Sequence, residues 1–290
     1  MRRMGDVLAG IHATWAFESD AVVIRFERGI RTPKLFQALR ERRIPHEALA
    51  SVTLAPGKRG TVVLHAEPRA GADPLMEAAA GQLKEGCDPY RLVLPADRET
   101  LAEYYRDELS SALAPDAALP AEGYLVAAPR GPQSFKAYDG KASFDGTSEV
   151  VFRWSWTGAS SEKWKAGDQS FPIRELSGVE WRSPDVLDGY LRLVPRGGHE
   201  SRPAQPDRDP ASVVFGLGYG TVHESLPFAA AVLAAIRGSS PRVPALPGAA
   251  APHDPAGVAE RIRHLGELHE AGLVTDEEFS AKKAELLAEL

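Results

Sequence analysis

Only one cysteine, Cys87, stands in a chain of 290 residues. A lone thiol excludes an internal disulfide and any multi-cysteine metal centre, and with no cysteine-associated signature around it Cys87 reads as a bystander in a loop. Long apolar runs are missing too, since none approaches the roughly 20 residues that a bilayer-crossing helix requires. The opening Met1-Arg2-Arg3-Met4-Gly5-Asp6 has neither the apolar stretch nor the small-residue cleavage site of a secretion signal. These absences lead us to expect a cytoplasmic chain, with peripheral contact at the inner face of the membrane as the furthest departure. Positive charge is not in excess: the net charge of −6 argues against generic binding to phosphate backbones. No aromatic-basic stripe of a nucleic-acid reader is present, so no nucleic-acid partner is expected.

Catalytic signatures are equally scarce. Gly216-Leu217-Gly218-Tyr219-Gly220 follows an expected strand and precedes an expected helix, which invites a phosphate-loop reading. It fails because Thr221 stands where a further glycine is needed and no βαβ unit surrounds it, leaving a strand-to-helix turn. His264 and His269 are five apart rather than four, so they do not form the paired ligands of a helical zinc site. His12, His46, His65, His199 and His223 have no serine or cysteine signature to work with. The chain is therefore expected to be noncatalytic, with no cofactor and no metal.

What the sequence does contain is itself, twice. Phe171 to Trp181 repeats Ile44 to Leu54: an apolar residue and a proline lead into alternating apolar positions, Leu49, Val52 and Leu54 in one, Leu176, Val179 and Trp181 in the other. Phe17 with Val22 to Phe26 answers Phe144 with Val150 to Trp154, and Pro68-Arg69 answers Pro195-Arg196. Asp88-Pro89 matches Asp209-Pro210. Each copy ends in an amphipathic helix, Tyr105, Leu109 and Leu113 against Phe228, Val232 and Ile236. Residues 74–80 are expected to add a short helix to the first copy, without an evident match in the second. Residues 7–114 and 134–237 are thus the two repeats and 115–133 their Ala/Pro-rich linker, in which Tyr124-Leu125-Val126 is expected as an edge strand. Residues 238–254 form a second linker too rich in Pro, Gly and Ala to build a core, and 255–290 a helical hairpin.

Several antiparallel strands followed by one amphipathic helix define an α+β unit, a β core capped by a helix. Each copy resembles the pleckstrin-homology-like (PH-like) β-barrel or sandwich, and the apolar-Pro element resembles the Ile-Pro motif of bacterial PH-like domains. As a whole, the chain resembles an uncharacterised actinobacterial family with two such repeats before a C-terminal module. The string from Leu265 to Leu287 is similar to the SHOCT (short C-terminal) domain. Asp254-Pro255 and Thr275-Asp276-Glu277-Glu278 cap its two helices. A hairpin of about 35 residues cannot bury its own apolar stripe, since domains below about 40 residues usually need metals, disulfides or partners. The face carrying Ile262, Leu265, Leu268, Phe279, Leu286 and Leu287 is therefore expected to dock, on one of the chain's own β units, on another protein or on further copies of itself; self-association is what the SHOCT resemblance implies.

The most basic stretch runs from Arg25 to Arg43 around Leu35, Phe36 and Leu39. Its cations Arg31, Lys34, Arg40, Arg42 and Arg43 are the expected contacts to an anionic membrane surface, should the protein act as a peripheral adaptor rather than as a protein-binding scaffold. In the second copy the corresponding loop holds Lys163 and Lys165 beside Trp156 and Trp164.

Overall fold

The computed structural model describes residues 6–186, 188–197 and 205–239. Runs of β-branched and aromatic residues, interrupted by Gly, Pro and Asp turns, give the first copy seven short strands among these residues. β1 (Asp6–Ala9), β2 (Ala13–Phe17), β3 (Ala21–Phe26) and β4 (Glu41–Pro45) form one antiparallel sheet in chain order. β5 (Leu49–Pro56), β6 (Thr61–Pro68) and β7 (Arg91–Pro95) form another. α1 (Lys34–Leu39) joins β3 to β4, α2 (Pro74–Ala79) lies between β6 and β7, and α3 (Glu99–Ser111) closes the copy.

The second copy follows the same plan. β8 (Gln133–Lys136), β9 (Gly140–Phe144), β10 (Glu149–Trp154) and β11 (Gln169–Pro172) make the four-stranded sheet, with α4 (Ser161–Ala166) between β10 and β11. β12 (Leu176–Arg182), β13 (Tyr190–Pro195) and β14 (Ser212–Val214) make the three-stranded one, and α5 (Val222–Ser239) ends the unit. The class is α+β as expected. The four sheets are open, so the closed-barrel form of that expectation does not hold among the described residues.

The duplication holds in detail. Phe17 and Phe144, like Pro45 and Pro172, are 127 positions apart and end equivalent strands. Phe17 stacks on Tyr105 of the closing helix at 4.0 Å between ring centroids, and Phe144 meets Phe228 edge-on at 6.3 Å. The carboxylates of Asp88 and Asp209 accept the backbone N–H two residues on, at 2.9 and 2.8 Å. Each also faces a nitrogen-bearing side chain from the central strand of its sheet, the His65 ring at 3.2 Å and the Arg192 guanidinium at 2.8 Å. Even the register shift at the start of the second sheet recurs, between Leu49 and Ser51 and between Leu176 and Gly178.

The apolar-Pro stretches, whose apolar alternation runs on without interruption in the sequence, are each two strands with a break between them. Pro45 and Pro172 close β4 and β11, a single 3-10 turn follows (His46–Ala48, Ile173–Glu175), and the chain re-enters the other sheet as β5 or β12. Proline has no N–H for a ladder, so the first sheet loses its partner there and the chain is free to cross over. The stretch common to both copies is the joint between their sheets.

The repeats are not separate lobes. Residues 1–240 form one compact unit. Leu75, Ala78 and Ala79 of α2, with Leu35 of α1, are buried in the same apolar cluster as Phe152, Leu191 and Phe228 of the second copy. Gln82 spans the seam with both ends of its amide, donating to Trp181 O at 3.0 Å and accepting from Ser183 N at 2.9 Å. Cys87, half-buried, packs against that shared cluster, and burial pushes its thiol pKa up. The linker folds back as well: Leu125 and Val126 donate backbone N–H groups to Ala72 O at 2.9 and 3.0 Å, outside any strand, where an edge strand was expected.

Candidate functional site

The loop between the third and fourth strands differs most in character between the copies. In the first, residues 27–33 lead from β3 to α1 and place Ile30 wholly in solvent, at 107% relative exposure. Arg31, Lys34 and Arg40 are exposed beside it and form no ion pair among the described residues. Arg43 is exposed but engaged, with Glu18 and, at 2.7 Å, with Asp20. Arg42 is buried and grips Asp73 with both terminal nitrogens, at 2.9 and 2.8 Å, so it serves the interior and is removed from the surface set. Its alternation with Arg43 along β4 decides this: one residue points into the core, the next out of it.

Asp73 is saturated. Besides Arg42 it accepts from Tyr90 Oη at 2.8 Å and from Leu75 N at 2.9 Å, the latter capping α2. Burial and the Asp73 carboxylate hold the Tyr90 hydroxyl well above its ordinary pKa. This network fastens α2 to the first copy while the apolar side of α2 faces the second.

In the second copy the equivalent loop carries Trp156 and Trp164, 82% and 51% exposed, with centroids 5.3 Å apart and planes at 87°. Large aromatic side chains left in water mark contact surfaces. Their mount is unusual. Lys163, in α4, is completely buried; its ammonium donates to Asp139 Oδ2 at 2.5 Å and to Pro206 O at 2.7 Å, and lies 5.0 Å from the Trp154 ring centre. Asp139 Oδ1 accepts from Val214 N at 3.0 Å. Burial raises the pKa of Asp139 while Lys163 opposes the rise. Ser160 caps α4 by accepting from Lys163 N, and the loop passes so close to Tyr138 that a Cβ on Gly158 would lie 2.2 Å from its carbonyl oxygen. The tryptophans thus project from a frame bolted to β14 and to the β8–β9 turn. At the place of Lys163 in the first copy, 127 positions earlier, stands Phe36, stacked on Phe26 at 4.5 Å.

A cleft of about 710 Å³ opens where the copies meet, lined by Gly29, Thr32, Lys34 and Gln37 from the first and His223 from the second. Burial holds His223 below the ordinary imidazole range, with the Lys34 charge adding to the effect and Glu224 opposing it. Gly216 to Gly220 is a tight turn, bridged between Gly216 and Tyr219, with Leu217 fully exposed at its tip. Among the described residues no group of three His, Cys, Asp or Glu side chains could hold a metal, and no helix is long and apolar enough to cross a membrane. Ile262, Leu265, Leu268, Phe279, Leu286 and Leu287, with His199, His264 and His269, lie outside the described residues. The buried lysine escaped sequence reasoning, because its partner Asp139 is 24 residues away and nothing local announces that a Lys beside a Trp is internal.

The fold and its paired loops define a tandem α+β protein whose two copies share one architecture and carry different side chains at one equivalent loop. The chain belongs to the family described as Domain of unknown function (DUF4429), whose model matches it twice, over residues 15–110 and 142–233. A second model, Short C-terminal domain, matches residues 260–287. No curated protein matches the chain.

Proposed function

We propose that this protein is a noncatalytic scaffold: two PH-like platforms held in one unit, with a C-terminal SHOCT hairpin that gathers copies or docks on a partner. The PH-like reading is supported by the order of elements, a four-stranded meander, a three-stranded meander and a closing helix, present twice. The observation that carries the binding role is the exposed Trp156–Trp164 pair on its buried Lys163–Asp139 support, because fixed aromatic side chains supply most of the energy of small contact surfaces. Joining weak sites on one chain, and chains through the tail, raises avidity through effective concentration. A pull-down from native cytosol tests it. A protein captured by the full chain and lost on Trp156→Ala, or on removal of residues 255–290, is the expected result; a captured set unchanged by both alterations overturns the reading.

A second reading, a peripheral adaptor at an anionic membrane, rests on Ile30. An apolar residue fully in water beside the exposed Arg31, Lys34 and Arg40, which form no ion pair among the described residues, suits insertion among lipid headgroups. Under it, reversing those three charges to Glu releases the chain from anionic vesicles.

A further inference from the structure

Trp156 and Trp164 meet with ring centroids 5.3 Å apart and planes at 87°, so the edge of one indole rests against the face of the other. Two such planes bound an L-shaped notch, open to solvent because Trp156 is 82% exposed. Charges around the notch are balanced. Glu162 and Lys165 are both exposed on α4, Arg153 faces Asp168 at 3.9 Å, and Arg208 faces Asp207 at 4.0 Å. A neutral aromatic notch offers little to a phosphate or an acidic peptide. It suits an uncharged, preformed apolar ligand, and proline-rich segments dock on aromatic grooves for this reason: a polyproline II helix is extended before it binds and loses little entropy on docking.

The chain itself carries such a sequence. Residues 241–247 read Pro-Arg-Val-Pro-Ala-Leu-Pro, with Pro241, Pro244 and Pro247 at every third position. A polyproline II helix has three residues per turn, so a peptide of this sequence bound in that form would present its prolines along one edge, roughly 9 Å apart. Arg242 is the only charged residue of this segment.

We infer that the notch formed by Trp156 and Trp164 takes residues 241–247 of a second copy of this chain. The inference rests on the interaction role proposed above and names its ligand. Notch and segment are different surfaces, so copies join either by reciprocal exchange of their segments in a closed pair or head to tail in rings or rows.

The receptor for the test is the full chain carrying Pro241→Ala, Pro244→Ala and Pro247→Ala, which leaves the notch free of its own sequence. A labelled peptide of residues 239–249 is titrated against it by fluorescence anisotropy. Saturable binding is expected, at least tenfold weaker when Trp156→Ala or Trp164→Ala is added and when the peptide's three prolines are alanine. Trp156 is mostly in water, so its removal leaves the fold standing, which an unchanged melting temperature verifies. Absence of binding up to millimolar peptide, or binding indifferent to both tryptophans, overturns the inference. Neutral phosphatidylcholine vesicles form the second arm. Trp156-dependent flotation without peptide binding assigns the notch to a bilayer, which overturns the proline assignment and leaves the interaction role standing. If peptide binding, flotation and capture from cytosol are all indifferent to Trp156, the interaction role falls as well.

Discussion

A lysine removed from water must be matched by an anion at close range, and Lys163 has Asp139, Pro206 O and the face of Trp154 around it. Removing the ammonium leaves the carboxylate of Asp139 buried beside Val214 N with no counter-charge. Lys163→Met is expected to cost about 3–5 kcal/mol, the usual penalty for stranding half of a buried pair. Adding Asp139→Asn removes the stranded charge and keeps an oxygen for Val214 N, so urea denaturation should show the double variant recovering part of the loss. A double variant no more stable than the single one would mean that the charge pair is not what holds the loop. Position 163 could not be read from sequence because burial here is a long-range property. Lys163 and Lys165 differ by two positions in one helix, yet the first is internal and the second exposed.

At the scale of elements, much of the plan was legible. The closing helices, the short helix after Asp73 and most central strands follow from periodicity and turn residues, and the repeated Phe and Pro positions align the copies. The crossover was hidden, because alternation of apolar residues continues through Pro45 and Pro172 although the sheet changes there. β1 and β8 were missed as strands of four residues with weak alternation. The role of α2 was legible only by contrast, as a helix with no evident counterpart. Asp73→Ala removes at once the cap of α2 and the partners of Arg42 and Tyr90. The expected loss is about 1 kcal/mol for the cap and about 3–5 kcal/mol for the stranded arginine. Chemical denaturation measures it, and a loss confined to the cap alone would show that the buried guanidinium finds another acceptor.

At the scale of the molecule, the two repeats share part of one core. Arg237, near the end of α5, donates to Gly71 O at 3.1 Å and lies 4.1 Å from the centre of the Tyr124 ring, tying second copy, first copy and linker together. Leu75 is fully buried in the cluster dominated by the other copy. Leu75→Ala should therefore cost about 2–5 kcal/mol, and it should weaken both copies together. Calorimetry of the full chain is expected to show one transition covering residues 1–240, shifted as a whole by the substitution. Two transitions, only one of which moves, would mean that the copies unfold independently.

The seam at α2 and α5 has a consequence for whatever meets the paired loops. The apolar side of α2 is buried in the cluster of the second copy, so the loops of Ile30 and Trp156 belong to one body, and under the roles proposed above a partner reaching both meets one unit rather than two tethered ones.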